Sequence, residues 1–353
     1  MTRDPMEQPK DNMPTAIDEN SEARDWVRRL DRYRSPSNGR GSYELAITAI
    51  PLVITWALTY WSVLQGHIWL YAPMLVLSAG FLVRLFLIQH DCGHRAFFAS
   101  RRANDCIGRI LSVFTLTPYD YWRRAHAIHH ATHGNLGRRG VGDVDTLTVA
   151  EYLARSRWSR LRYRAYRHPL VMFGIGPAFI FVIQHRFPMG FMRDGWLPWA
   201  STMGTNVAIA GALVLSIWAV GPSALLLVHV PILLLGAAVG VWLFYVQHQF
   251  EHTYWERPEA WNVREGALRG SSHYCLPGVL KWFTANIGVH HIHHLSSQIP
   301  YYRLPTALRE HPELNDVNRL TLIQSLRCVR LALWDEESRR LISFKELHAL
   351  RQR

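Results

Sequence analysis

The sequence predicts an all-α membrane protein, with four transmembrane helices in two hairpins and a cytosolic helical cap. Three observations carry that prediction. The chain has 353 residues, 49% of them hydrophobic, yet no Asp, Glu, Lys or Arg occurs in the 39 residues Leu45–Val83 or the 56 residues Gly195–Phe250. A helix of about 20 apolar residues crosses the hydrocarbon core, so each run is long enough for two crossings. Turn residues interrupt each run where a hairpin would bend, at Gln65-Gly66-His67 and Gly221-Pro222-Ser223. Basic residues are segregated as well: 17 Arg and no Lys lie in 84–194, eight basic residues lie in 1–44, and the two turns contain none.

The spans expected from these runs are 45–64, 68–88, 201–220 and 224–246. Loops rich in Lys and Arg stay on the cytoplasmic side, which places both termini and the central segment there. The uncharged stretch His168–His185, 18 residues long, is near the lower limit for a crossing. It is expected as an interfacial or re-entrant helix, because a fifth crossing would split the histidine groups described below between two faces. The first 40 residues are polar and lack an apolar signal core, so 1–40 is expected to be a mobile cytosolic segment. Residues 41–306 form the membrane and cap domain, and 307–353 a cytosolic helical segment.

Composition excludes collagen-like, disulfide-dense and wholly disordered classes. Cys92, Cys106, Cys275 and Cys328 are too scattered for a disulfide framework or a thiolate zinc site. The net charge of +12 follows from topology and from anionic lipid headgroups, and no nucleic-acid partner is expected.

The chemistry lies in the 19 histidines. His90 and His94 follow the second span, and His126, His129 and His130 form an HxxHH group with His133 close behind. His290, His293 and His294 form a second HxxHH group around His291, while His248 and His252 lie at the end of the fourth span. Residues three and four apart share a helix face. The pairs 90/94, 126/130, 248/252 and 290/294 therefore each aim two imidazoles at one point. Imidazole ligates iron, copper and zinc, but one zinc is satisfied by four ligands. Eight to ten histidines suit two metals with open positions, an all-histidine counterpart of the carboxylate di-iron bundles, and iron-assisted dioxygen chemistry is the natural use.

Ligating histidines need their second ring nitrogen held by a carboxylate or carbonyl. Asp91 and Glu251 are the leading candidates, followed by Asp120, Asp143 and Asp145. Asn286 lies four residues before His290 and would share its face on a continuous helix. His291 and His133 are read as possible ligands or as partners behind the ligands, and His248 as a better ligand than His252. His67, His168, His185, His229, His273, His311 and His348 are isolated, and each is read as packing or surface.

These groups resemble the histidine boxes of the membrane-bound fatty acid desaturase and hydroxylase superfamily, in its order HxxxH, HxxHH, HxxHH, from about Tyr43 to Leu304. The wording His90-Asp91-Cys92-Gly93-His94, Gln247-His248-Gln249-Phe250-Glu251 and Asn286-Ile287-Gly288-Val289-His290-His291-Ile292-His293-His294 resembles the acyl-lipid, omega-type branch. The resemblance implies a cytosolic di-iron centre (Fe2+/Fe3+) ligated by His90, His94, His126, His129, His130, His290, His293 and His294, with His248 as a further ligand. It implies a water-mediated contact for Asn286, O2 as co-substrate, an acyl-lipid substrate in the membrane, and formation of a double bond between neighbouring methylenes. His252 and His133 are additional to the pattern. No His-Pro-Gly-Gly motif is present, so a separate ferredoxin- or cytochrome-type donor is expected, and the arginine-rich composition suggests a bacterial inner membrane.

Substrate positioning is expected from an apolar tunnel. Trp56, Trp61, Trp242, Phe244 and Tyr245 are its possible lining, although lipid-facing or interfacial packing is the stronger expectation for most of them. A hydroxylase on the same scaffold would share every ligand. A metal transporter would instead place ionisable groups at mid-membrane, where only His229 and Arg84 fall.

Overall fold

The structure, a computed structural model, describes residues 24–352. It is predominantly helical. Six helices matter most here: α1 (Asn38–Leu64), α2 (Ile68–Gly93), α3 (Tyr119–Thr132), α4 (Trp196–Val220), α5 (Pro222–His248) and α6 (His290–Leu295). Of these, α1, α2, α4 and α5 are long and apolar enough to cross a membrane. Each outruns its expected span. The excess matters most at two ends, where α2 continues through His90 to Gly93 and α5 ends on His248. The membrane helices thus carry histidines out of the apolar layer.

Residues 65–67 join α1 to α2, with Gly66 at φ 72°, and Gly221 at φ 80° joins α4 to α5. Glycine takes such left-handed angles without a Cβ penalty. The α2 helix packs against both α1 and α5. By contrast α4 is barely packed, leaving Val207 73%, Leu215 67% and Trp218 86% exposed. A continuous apolar face of this kind is stable only where lipid or another apolar surface covers it.

Within this bundle Arg84 of α2 is buried and pairs with Glu44 of α1 at 2.5 Å. Its guanidinium also reaches Thr48 Oγ1 at 3.1 Å, the Trp282 carbonyl and the Tyr301 hydroxyl at 3.4 Å. Buried charge is tolerated when it is paired and its remaining protons are satisfied. The pair therefore ties two spanning helices to the segment that leads into and out of α6.

The stretch expected to be interfacial or re-entrant is a broken element. Arg157–Tyr166 is helical, and Val171–Arg186 follows after a bend of 57°. A π-helical turn at Val171–Ile175 begins the second part.

Two terminal expectations need correction. Residues 1–23 lie outside the described residues, but 24–33 are helical, and Trp26, Leu30 and Tyr33 are buried in the main core. The 1–40 segment is thus partly ordered, because three apolar side chains at helical spacing find a core to enter. The C-terminal segment is not wholly helical either. Strand β1 (Leu147–Thr148) pairs in parallel with β4 (Leu331–Asp335), which pairs antiparallel with β5 (Arg340–Ser343). A second, two-stranded sheet joins β2 (His273–Cys275) to β3 (Arg319–Thr321). The sequence Leu331-Ala-Leu-Trp-Asp, a polar turn, then Arg340-Leu-Ile-Ser reads naturally as a β-hairpin, and Arg339 closes the turn at φ 50°.

Candidate metal centre

The histidines converge from four elements: the end of α2, the second half of α3, the end of α5 and the short helix α6. Five of them, His90, His94, His126, His130 and His293, place ring nitrogens within 4.8 Å of one another, and His129, His248 and His294 form a second such group. His290 joins the second group, its Nε2 lying 3.0 Å from that of His248. His130 and His294 stack at 4.0 Å between centroids where the groups meet. All nine histidines expected as ligands are therefore brought together.

Burial and the like charge of neighbouring imidazoles hold His94, His126, His130, His290, His293 and His294 well below the ordinary imidazole range. They are neutral at pH 7, the form that binds metal. The Nδ1 of His129 donates to Asp143 Oδ1 at 2.6 Å. A neutral imidazole that donates through Nδ1 keeps a bare lone pair on Nε2. That lone pair of His129 faces His248 Nε2 at 3.2 Å in a site where both rings are buried. The Nδ1 of His248 in turn lies 3.2 Å from the Gly270 carbonyl and 3.1 Å from His133 Nε2. His94 Nε2 and His294 Nε2 are buried without a hydrogen-bond partner. Buried polar atoms are rarely left unsatisfied, so the donor set fits metal.

Partners behind the ligands are specific. Asp91 Oδ1 lies 3.2 Å from His90 Nδ1, while its Oδ2 accepts the Tyr301 backbone N–H at 2.6 Å. Burial alone would raise the Asp143 carboxyl, but the adjoining His129, through its 2.6 Å hydrogen bond, and the nearby His133 outweigh it and hold Asp143 below the usual carboxylate range. Trp122 stacks flat on His126 at 4.5 Å. A Cβ on Gly93 would come within 2.9 Å of the Trp122 ring, so only glycine allows that close approach inside the first box.

Several sequence-predicted residues do not join the site. The α5 helix ends at His248 with Gln249 outside helical geometry, so His252 never reaches the His248 face and is exposed. Glu251 points outward to Arg340 at 3.0 Å. Asn286 precedes the helix that holds His290, at φ 55°, and lines a small cavity with His273 and Lys281. The chain before α6 pairs instead as a bridge, Val289 with His273. His291 is buried against His273 on the opposite side of α6, 5.4 Å between rings. His133 stands behind the site: its Nε2 lies 2.9 Å from the Gly270 carbonyl and 3.1 Å from His248 Nδ1.

Asp120 pairs with Arg109 at 2.9 Å, and Asp145 contributes backbone groups to Tyr166 and Arg167. Asp143 proves the stronger candidate among the acids. The Gly270 carbonyl has no side-chain signature and was not foreseeable. Of the proposed tunnel aromatics, Phe244 lies beside His129 and His248, at 5.2 and 5.1 Å. Trp56 packs on His229, Trp61 on His67, and Trp242 and Tyr245 on Phe173.

The sequence profile described as fatty acid desaturase matches residues 67–325, which contain the whole centre. A Bacillus subtilis fatty acid desaturase is 41% identical over 322 residues, 91% of this chain and 90% of its own length. The chain belongs to the fatty acid desaturase family. Within that family, this desaturase is 29% identical to the sn-1 acyl-lipid omega-3 desaturase (ferredoxin) of Synechocystis, across 68% of this chain and 67% of the relative. It is 27% identical to an Arabidopsis thaliana acyl-lipid omega-3 desaturase (cytochrome b5), across 68% and 64%. A desaturase needs a site that abstracts hydrogen from unactivated methylenes, and the buried, metal-fitting imidazole groups are the part of this desaturase suited to that task.

Proposed function

We propose that this desaturase introduces a double bond into the acyl chain of a membrane lipid, using two irons and O2 as co-substrate. The observation that carries the reading is the convergence of the ring nitrogens of His90, His94, His126, His130 and His293 in one group, and of His129, His248 and His294 in another, each within 4.8 Å. One iron would be held by His90, His94, His126, His130 and His293, the other by His129, His248, His290 and His294. Nine imidazoles, six of them buried and three half-buried, exceed what a single zinc takes. When bound, an iron pair supplies the power to activate O2 toward two neighbouring C–H bonds.

The remaining work falls to the protein. Asp143 and Gly270 hold His129 and His248 in the tautomer that presents Nε2, and Asp91 does the same for His90. An acyl chain offers no polar handle at its reacting carbons, so apolar contact must set its position. Phe244 and Trp122, packed on ligand rings, are suited to that contact.

The arginine segregation supports two helical hairpins beneath a cytosolic cap, with the centre and both termini facing the cytoplasm, in a bacterial inner membrane. The membrane and cap unit would span 41–306. The donor would be a separate ferredoxin- or cytochrome-type protein, as the names of two relatives indicate for those enzymes.

The test is lipid analysis of cells expressing the chain or its His293→Ala variant beside a competent donor, with iron measured on both purified proteins. New unsaturated acyl chains in the wild type alone, with two irons per chain, are expected. Hydroxylated chains would keep the site and change the reaction. Iron-free wild-type protein with unchanged lipids would overturn the reading.

A further inference from the structure

At Trp255 the surface opens into a cavity of about 300 Å³. Leu136, Trp255 and Trp334 pack together in one buried cluster and line it. Backbone pairing holds this wall in place, with Leu136 N–H donating to the Glu256 carbonyl at 2.9 Å and Glu256 N–H to the Gly134 carbonyl at 2.8 Å. Trp255 is 2% exposed, and its indole Nε1 is buried with no hydrogen-bond partner. Its ring meets that of His133 edge-on, at 5.7 Å between centroids. His133 in turn lies 4.1 Å from the His248 ring. Three aromatic rings thus run without a gap from a surface cavity to a histidine of the metal centre.

The rim of the cavity carries two ion pairs, Arg257–Glu336 at 2.9 Å and Arg339–Glu256 at 2.7 Å. They are not symmetrical in exposure. The guanidinium side chains are 69% and 61% exposed, whereas their carboxylate partners are 28% and 19% exposed. The two pairs cancel in net charge, but their guanidinium ends stand outermost around an apolar floor, where a partner's carboxylates meet them first. Exposed charge of one sign steers a partner of the other and sets its on-rate.

We propose that this cavity is the docking surface for the one-electron carrier protein, that the carrier is acidic around its redox group, and that electrons enter through Trp255, His133 and His248. This deepens the desaturase reading and rests on it. Forming one double bond removes two electrons and two protons from the acyl chain, while reduction of O2 to two waters consumes four of each. The carrier supplies the other two electrons, one per encounter, and is itself oxidised; two protons come from solvent. Electron tunnelling weakens steeply with distance, so a continuous line of packed rings is the favoured entry. His133, which is additional to the box pattern, acquires a role in this way.

The test uses full-length, iron-loaded protein in lipid nanodiscs, with two probes: a photoreduced [2Fe–2S] ferredoxin and a reduced soluble cytochrome b5. Iron content and reduction by dithionite are measured first on every variant. Arg257→Glu with Arg339→Glu is expected to slow reduction by the preferred carrier about tenfold at low salt, with the gap closing as salt rises. Trp255→Leu is expected to slow electron transfer within the saturated complex while leaving carrier affinity and iron content intact, and Trp255→Phe to restore most of the rate. Variants that hold two irons and are reduced by carriers as fast as wild type would overturn the assignment. So would iron-loaded wild type that neither carrier reduces. Wild type that binds no iron would instead overturn the metal reading beneath it.

Discussion

Asp143 Oδ1 lies 2.6 Å from His129 Nδ1, and the aspartate also approaches His133 Nδ1 at 3.5 Å. One carboxylate from the loop after α3 therefore orients His129, a proposed ligand, and braces His133, which stands behind the proposed ligand His248. Removing such a partner typically costs 10–100-fold in metal affinity. Asp143→Asn is expected to fold normally and to lose iron to a chelator about 10–100-fold more readily than wild type. Equal retention of iron under a chelator titration would show that Asp143 does not orient the ligand.

The isolation of His252 and Asn286 from the centre makes a sharp contrast with His248. His252→Ala is expected to keep full iron content and activity, because the side chain is exposed beyond the end of α5. Asn286→Gly suits the left-handed backbone at φ 55° and is expected to retain iron as well. His248→Ala should lose iron. Iron analysis of the three purified proteins checks this, and loss in the His252 variant would place that residue at the centre after all.

The Arg84–Glu44 pair predicts non-additivity. Removing one partner of a buried pair costs about 3–5 kcal/mol where the charge left behind has no other partner, but Glu44 also meets Arg40 at 2.6 Å. Arg84→Met is therefore expected to destabilise by less than that amount, and Arg84→Met with Glu44→Leu by less than the sum of the two single variants. Thermal unfolding in detergent is the measurement, and a double variant as unstable as the sum of the singles would refute the coupling.

Acid sensitivity should follow from the neutral histidines. Burial holds His126, His130, His293 and His294 below their ordinary value of 6.5. In the metal-free protein the unfolded chain then binds more protons than the folded one once pH falls below about 6.5. Stability is accordingly full above that pH and declines as pH drops through 6 and 5. Metal-free protein unfolding at the same temperature at pH 7.5 and pH 5.5 would contradict this. Iron that binds only the folded state should raise the transition, by about 2.7 kcal/mol at a hundredfold excess over Kd.

The four spans, their turns and the nine converging histidines were legible in the sequence because each rests on local spacing. Charge-free runs mark what lipid can cover, and residues three and four apart must share a helix face. Where helix continuity failed, the spacing argument failed with it. His252 lies past the end of α5, and Asn286 lies before the start of α6 in a turn bridged to β2. Asp91 was recognisable because it adjoins His90, whereas Asp143 stood among several loop acids until folding brought it to His129. The short sheets, the packing of Trp26, Leu30 and Tyr33, the Gly270 carbonyl and the Trp255–His133 contact join segments separated by tens to hundreds of residues. No periodicity encodes such meetings. The sequence alone determined that imidazoles would gather at the ends of membrane helices. Only the tertiary structure decided which nitrogen of each ring faces the middle of the cluster, since that depends on which distant carboxylate or carbonyl takes the proton of the ring's other nitrogen.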